Sequence, residues 1–581
     1  MLPAMTDFSR ILDCVGRIYG LEEVPRFMGR LQIMLRRHLT RLPRTSSHGL
    51  SEQDAILIAY PDQVRDAEKA PLASLKGFAG QYLHGLVNGI HLLPFYPSSS
   101  DDGFSVLDYR SVDPAYGDWG DIKRLGRSFR LMFDAVLNHA SVRGDWFQAF
   151  LRNEVPLKDY FLCVDGNPDL SAVTRPRTLP LLTEFSTADG DRAVWTTFSA
   201  DQADLDYHNP EVILEMLDLL LFYVEQGASF IRLDAIAYLW KEIGTSCIHR
   251  PQVHWIVRLI RSILDKVAPH VMLLTETNVA QSENLSYLGD GTNEAHLAYN
   301  FALPPLVLHA FESGQATTLS DWAAGLALPS EEVTLFNVLA THDGIGLNGA
   351  RGILTEGEIQ QLSLQIEAAG GHVLQRSNPD GTSSPYEINV NYYDALVSAR
   401  SGADTNLGVA RFLTAHAILL GLKGMPGIYF HSMFGSRGWP EGVARSGQAR
   451  SVNREKLHRR TISDELANPN SLRSLIYSGM KRLLRARSSC PAFAPHAQQR
   501  ILRVGPGLFA FTRAPALNDQ EILCVHNVTA VEQSFPCAAW HLERAAGGQV
   551  EDLIGTSQID WYSLVSLPLR PYQSMWLRMK A

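Results

Sequence analysis

Seven apolar runs, separated by amphipathic stretches of helical length, predict an α/β chain. The fold class expected is a (β/α)8 TIM barrel with an inserted B domain and a C-terminal antiparallel β domain. Three observations carry that expectation. The runs alternate with helical stretches, which is the signature of βα units and of a parallel sheet buried on both faces. Seven or eight such units over roughly 400 residues fit a closed barrel better than an open doubly wound sheet. After about residue 495 the spacing changes to short alternating runs, such as Ile501-Leu502-Arg503-Val504 and Leu508-Phe509-Ala510-Phe511, which read as antiparallel strands.

Taken in order, residues 1–50 are mixed in charge with a weak apolar stripe at Leu31, Met34 and Leu35, and read as a helical N-terminal extension. The barrel is expected over residues 51–139 and 209–494. Its strands are read at Ala55–Tyr60, Gly89–Pro94, Leu131–Val136, Phe230–Asp234, Val271–Glu276, Val333–Thr341 and Gly427–Phe430, with helices such as Glu211–Gln226 and Trp255–Val267 between them. Residues 140–208 carry Pro156, Pro168, Pro176 and Pro180 with little helical period, so they read as the inserted B domain. A second excursion spans about 344–405, and residues 495–581 form the C-terminal β domain.

Composition bounds the chemistry. At 581 residues the chain exceeds one ordinary core, and 45% apolar with 19% charged residues is ordinary for a globular protein. A formal net charge of -9 gives no reason to expect nucleic acid or an anionic membrane as partner. The six cysteines are scattered without a C-x-x-C pair, which fits reduced thiols and a cytoplasmic location. No basic n-region followed by an apolar run opens the sequence, and no apolar run approaches the roughly 20 residues that span a bilayer.

The ends of the predicted strands gather the chemistry, because barrels place it on the loops at the C-terminal face. Phe230-Ile231-Arg232-Leu233-Asp234 ends in an arginine and a carboxylate two residues apart, which in a strand share one face. Arg232 is therefore expected to keep Asp234 ionised, as a nucleophile requires. Asp134-Ala135-Val136-Leu137-Asn138-His139 closes another strand, Glu276 a third, and His342-Asp343 a fourth. Three carboxylates, two histidines and an arginine would then face one mouth.

These segments resemble the four short regions of glycoside hydrolase family 13, the α-amylase superfamily. The resemblance covers nearly the whole chain after residue 50. It implies that Asp234 is the nucleophile, Glu276 the general acid/base and Asp343 the stabiliser of an oxocarbenium-like transition state, with His139 and His342 hydrogen-bonding the glucosyl ring. Finer features resemble the sucrose phosphorylase subfamily: Ser100-Asp101-Asp102-Gly103-Phe104, Arg175-Pro176-Arg177, Gln202-Ala203-Asp204-Leu205-Asp206, His342-Asp343-Gly344-Ile345-Gly346, Tyr386-Glu387-Ile388-Asn389 and Gly447–Arg454. By that resemblance Asp101 and Arg450 grip the far hydroxyls of one glucose, Phe104 is an apolar platform beside the ring, and Tyr386 and Glu387 complete the wall. Phosphate would need a cation, with Arg177 the first candidate and Arg175 the next, and with Phe198 nearby.

The stretches around Arg175, Trp195–Ser199 and Tyr429–Arg437 look more like the branch of that subfamily that acts on glucosylglycerate. An acceptor carboxylate would want a further cation, for which Arg351 is the candidate and Arg437 a second. The reaction implied transfers a glucosyl unit between a small α-glucoside and inorganic phosphate, giving α-glucose 1-phosphate. The acceptor alternatives are those of sucrose, sucrose 6'-phosphate and glucosylglycerol phosphorylases, and the other enzyme reading is an exo-acting α-glucosidase or transglucosidase. Asn138 belongs to a segment that supports calcium in many amylases, but no clustered carboxylates in the insertion complete an oxygen shell. The expectation is no metal and no organic cofactor.

Overall fold

The computed structural model describes residues 8–43, 49–176, 179–377, 382–397, 404–515, 521–540 and 549–579. Eight parallel strands close a barrel: β1 Ile56–Ala59, β2 Gly89–Leu92, β3 Arg130–Val136, β4 Ala228–Asp234, β5 Met272–Thr275, β6 Leu297–Asn300, β7 Thr334–Asn337 and β8 Met425–Tyr429. Each pairs with its sequence neighbours, and β1 closes the ring against β8 through Ile56↔Gly427 and Leu57↔Ile428. All four residues of β1, β2, β6 and β7 are buried, as strands with a packed interior on one side and helices on the other require.

Two of these strands differ from the expectation. β6 was not anticipated, because His296-Leu297-Ala298-Tyr299-Asn300 ends in polar groups and has no continuous apolar run. β7 stops at Asn337, four residues before the end of its apolar run. Val338, Leu339 and Ala340 are instead buried in the connection that carries the chain to His342 and Asp343.

The register sets the floor of the site. Arg232 lies opposite Asp134 on β3 and Leu274 on β5, so the buried guanidinium and the Asp134 carboxylate meet at one level of the barrel. Between β3 and β4, His139–Ser141 pairs with Gln202–Asp204, and Cys163–Val164, Leu182–Thr187 and Gly190–Trp195 form a three-stranded antiparallel sheet. After β7, Ile345–Gly346, Ser383–Asn389 and His372–Ser377 form another. Gly344-Ile345-Gly346-Leu347-Asn348-Gly349 spells G-x-G-x-x-G, yet it forms one edge of that small sheet and a 3-10 turn rather than opening a helix, so it cradles no dinucleotide. Near the C-terminus, six antiparallel strands from Gln498–Leu502 to Ser574–Met579 make one sheet, beside a two-stranded pair.

The first residues form two helices, α1 Ser9–Tyr19 and α2 Val24–Leu39. Their apolar faces bury Ile11, Val15, Phe27, Leu31 and Leu35 in the main core. They lie against the barrel helices α3 Pro210–Glu225 and α4 Pro251–Val267, which lead into β4 and β5. Arg30 reaches Glu211 at 2.6 Å, and buried His38 sits between Glu225 (2.7 Å) and Asp218 (3.0 Å). Arg17 and Arg258 both lie 4.5 Å from the Trp255 ring. The extension thus braces the two helices that feed the strands carrying Asp234 and Glu276. No helix among the described residues is long and apolar enough to cross a membrane.

Burial also sets an acid limit. His342, His416, His431 and His526 are at most 2% exposed, and burial lowers their imidazoles to about 3, 4, 3 and 3 respectively. An unfolded histidine binds its proton near pH 6.5. Below that value the unfolded chain takes up protons that the fold refuses, so stability is full above about 6.5 and is lost as pH falls toward 3. Each such group removes roughly 1.4 kcal/mol per pH unit inside that window. The raised carboxyls of Asp234 and Glu276 work in the opposite direction, but they are fewer. Circular dichroism against pH is expected to show cooperative unfolding well above pH 3, with an uptake of several protons. A fold intact at pH 3.5 contradicts this.

Candidate active site

Three strand ends deliver the carboxylates. β4 ends in Asp234, and Ala235 then turns the chain in the left-handed region (φ 48°). β5 is followed by Glu276, whose carboxylate accepts the Ala235 N–H at 3.1 Å. The connection after β7 places Asp343, its backbone N–H donating to Thr341 Oγ1. One buried guanidinium organises the set: Arg232 lies 2.5 Å from Asp134, 2.8 Å from Asp234 and 3.7 Å from Glu276. His91 holds the other oxygen of Asp134 at 2.8 Å.

Electrostatics distinguishes these groups. Against the upward push of burial, His91 and Arg232 bring the Asp134 carboxyl down to about 2. Burial opposes ionisation of Asp343 as well, but His342, Arg450 and Arg454 hold it well below the usual carboxylate range. Asp234 and Glu276 are both raised, first by burial and then by neighbouring carboxylates, with Arg232 pulling against the shift. Arg232 is expected from the sequence to keep Asp234 ionised; the guanidinium does pull that way, but burial outweighs it. The closest contact of Arg232 is with Asp134, which takes much of its charge, and the repulsion between Glu276 and Asp234 makes the two titrate as a pair. The contact to Asp234 is nevertheless shorter than that to Glu276. The guanidinium therefore favours the arrangement with the charge on Asp234 and the proton on Glu276, the division that acid/base chemistry needs.

Asp234, Glu276, His342, Asp343 and Arg450 line a cavity of about 860 Å³. Of the residues expected at the site, Asp101, Phe104, His139, Phe198, Asp234, Glu276, His342, Asp343, Tyr386, Glu387 and Arg450 all line it. Phe104 stacks on His342 with the ring centroids 5.0 Å apart. His139 presents Nε2 to the Phe104 carbonyl at 3.0 Å and to the Gln202 amide at 3.1 Å, and Phe198 packs 5.3 Å from its ring. Arg232 sits below the cavity as the buried floor.

Arg450 and the acidic doublet are held by partners that the sequence does not announce. Arg450 forks onto Glu387 (3.0 and 2.6 Å) and reaches Asp343 at 2.9 Å, so it bridges two wall carboxylates. The doublet splits. Asp101 and Asp102 both take left-handed backbone (φ 54° and 48°), which sends Asp101 to the cavity and Asp102 to buried Arg454 at 2.6 Å. Gly103 is needed beside them, since a Cβ there would meet the Pro94 carbonyl at 2.8 Å.

The acceptor-side arginines are largely elsewhere. Arg351 does not line the cavity: its guanidinium is engaged by Glu356 (2.5 Å), Ser384 and the Pro385 carbonyl, because the loop after Asp343 turns it toward the next helix. Arg437 is exposed and paired with Asp394. Arg175 is exposed and donates to the Leu179 carbonyl, although Pro176 and Leu179, which follow it in the chain, do line the cavity. Arg177 lies outside the described residues. Tyr238, Thr277 and Asn278 line the site without having been singled out, and Gln202, quoted only within a motif, lines it as well. Arg454 was quoted within a motif, but it carried no periodicity to mark it as the partner of Asp102.

Comparison with known proteins places this arrangement in a class. The family model for the α-amylase catalytic domain matches residues 58–343. The solved sucrose 6F-phosphate phosphorylase of Thermoanaerobacter thermosaccharolyticum has the same fold, with a TM-score of 0.72 at 24% identity over 83% of this chain and 96% of that one. The chain belongs to the α-amylase superfamily, glycoside hydrolase family 13, in its sucrose phosphorylase-like branch. Within that branch it is 46% identical to the glucosylglycerate phosphorylase of Allomeiothermus silvanus, over 98% of both chains. It is 42% identical to the glucosylglycerate phosphorylase of Escherichia coli, over 98% of this chain and all of the relative.

Proposed function

We propose that this protein is a retaining α-glucoside phosphorylase that transfers a glucosyl unit between 2-O-α-glucosylglycerate and inorganic phosphate. The observation that carries the chemistry is the pairing of Asp234 and Glu276 on one guanidinium, with Asp343 held charged beside them in the same cavity. A retaining mechanism needs two carboxyl groups about 5 Å apart, one ionised and one protonated. Nearly full-length identity to relatives that carry this activity supports the substrate.

In this reading Asp234 attacks the anomeric carbon while Glu276 donates its proton to the departing glycerate oxygen, leaving a β-glucosyl ester on Asp234. Phosphate then attacks the same carbon from the opposite side while its proton passes to Glu276, the ester bond breaks, and α-glucose 1-phosphate leaves with Asp234 ionised and Glu276 protonated again. In the reverse direction Glu276 takes the proton of the glycerate hydroxyl. Asp343 holds sugar hydroxyls as positive charge develops at the ring, and His342, neutral because burial lowers it to about 3, donates without adding charge. His139, Asp101 and Phe104 surround the glucosyl unit, and Tyr386 and Glu387, locked by Arg450, complete its wall. Arg175 and Arg177, which flank cavity-lining Pro176, serve the phosphate. In this reading residues 140–208 act as the domain that closes the cavity, and 495–581 as a separate β domain.

Phosphate release from α-glucose 1-phosphate is the test of the acceptor, using D-glycerate, glycerol, fructose, fructose 6-phosphate and water alone. Stimulation by glycerate, by at least tenfold over every other acceptor, is expected. Stimulation by fructose or glycerol instead would overturn the glycerate assignment. Full-rate release in water with free glucose formed would overturn the phosphorylase itself.

A further inference from the structure

The segment leaving the nucleophile carries a buried cation that the reaction as described does not use. Lys241 stands seven residues beyond Asp234, past the short turn Ile236–Tyr238, and its side chain is 3% exposed. Its ammonium lies 2.5 Å from Asp204 Oδ2 and donates to Asn138 Oδ1 at 2.7 Å. Both partners are fully buried. Asn138 in turn donates to Asp204 Oδ2 at 3.0 Å, and Thr197 donates its backbone N–H (3.0 Å) and its hydroxyl (2.6 Å) to the two oxygens of Asp204. Four segments thus meet at one charge pair: the end of β3, the chain after β4, and both the Thr197 and Asp204 stretches of the inserted domain.

Each partner of Lys241 adjoins a residue of the cavity. Asn138 precedes His139, and Asp204 lies opposite His139 in the two-stranded pairing. Thr197 precedes Phe198, whose ring packs 5.3 Å from His139 and 5.5 Å from Tyr238. A carboxylate buried this deeply is tolerated only with a counter-charge and a full set of donors. Asp204 has both, and Lys241 is the counter-charge.

We propose that Lys241 is a positioning residue for the glucosyl pocket: its ammonium pins the inserted domain to the barrel through Asn138 and Asp204 and so fixes His139 and Phe198 over the reacting sugar. The inference uses the reading of this cavity as the glucosyl site but is independent of which acceptor the enzyme takes.

Lys241→Met alone strands a buried carboxylate and is expected to fold poorly. The informative variant is Lys241→Met/Asp204→Asn, which removes both charges at nearly constant shape and is expected to fold with a thermal midpoint within a few degrees of wild type. Two readouts are then taken. Hydrolysis of α-glucosyl fluoride, which needs neither glycerate nor phosphate, is expected to lose about 100-fold in kcat/KM, shared between a lower kcat and a higher KM, as a displacement near 1 Å produces. The His139 ring signal, assigned by its disappearance in His139→Ala, is expected to broaden or split in isotope-edited NMR. A folded double variant with wild-type kcat/KM, or with one unshifted sharp His139 signal, overturns the proposal. The ring signal decides the matter even if α-glucosyl fluoride proves not to be a substrate, an outcome that would count against the functional reading alone.

Discussion

Asp234→Asn is expected to lower the rate of phosphate release from α-glucose 1-phosphate by about 10⁴-fold or more, the scale of losing an essential nucleophile. The amide keeps the shape of the carboxyl and its contact with Arg232, but it cannot form the glucosyl ester. Stability gives an independent sign. Burial raises the Asp234 carboxyl in the fold, so the native state disfavours its charge, and a neutral amide relieves that cost. The thermal midpoint of the variant is therefore expected to stay level or rise. An Asp234→Asn protein that keeps a tenth of its activity contradicts the assignment.

Glu276→Gln is expected to cost about 10²–10⁴-fold on 2-O-α-glucosylglycerate, the usual worth of a positioned acid/base. The loss should follow the leaving group. Glycerate leaves as an alkoxide unless it is protonated, whereas fluoride needs little help, so α-glucosyl fluoride should lose far less. The contrast with Asp234→Asn, which fails with both donors, separates the two carboxylates although they share one guanidinium. Equal losses of Glu276→Gln on both donors would show that Glu276 has another role. Steady-state rates on the two donors, measured with each variant, supply the comparison.

How much of this was legible in the sequence depends on where the signal is carried. Strands buried on both faces announce themselves as apolar runs, so seven of the eight barrel strands were visible. β6 was not, since only Leu297 and Ala298 are aliphatic and Asn300 points to a neighbour, Asn337, rather than to a core. The cavity carboxylates Asp234 and Glu276 were legible because strand period and strand end together aim them at one mouth. Pair geometry was less so. That Asp102 rather than Asp101 would turn to Arg454 depends on two consecutive left-handed residues that no periodicity reveals, and that Arg450 would fork onto Glu387 depends on two segments 63 residues apart. Arg351 shows the same limit in reverse. A cation near Asp343 in sequence is drawn off by Glu356 on the following helix, five residues away. Lys241 went unnoticed because a lone lysine after a strand looks like a solvated one, and only the meeting of Asn138 with Asp204 makes it a buried partner.

The most direct test of the central claim is proton NMR of the reaction of 2-O-α-glucosylglycerate with the wild-type enzyme in phosphate buffer. Double displacement at Asp234, with phosphate as the second nucleophile, predicts α-glucose 1-phosphate and free glycerate in equal amounts, with little glucose. The β-anomer of glucose 1-phosphate would contradict the retaining mechanism, and glucose as the main product would contradict phosphorolysis.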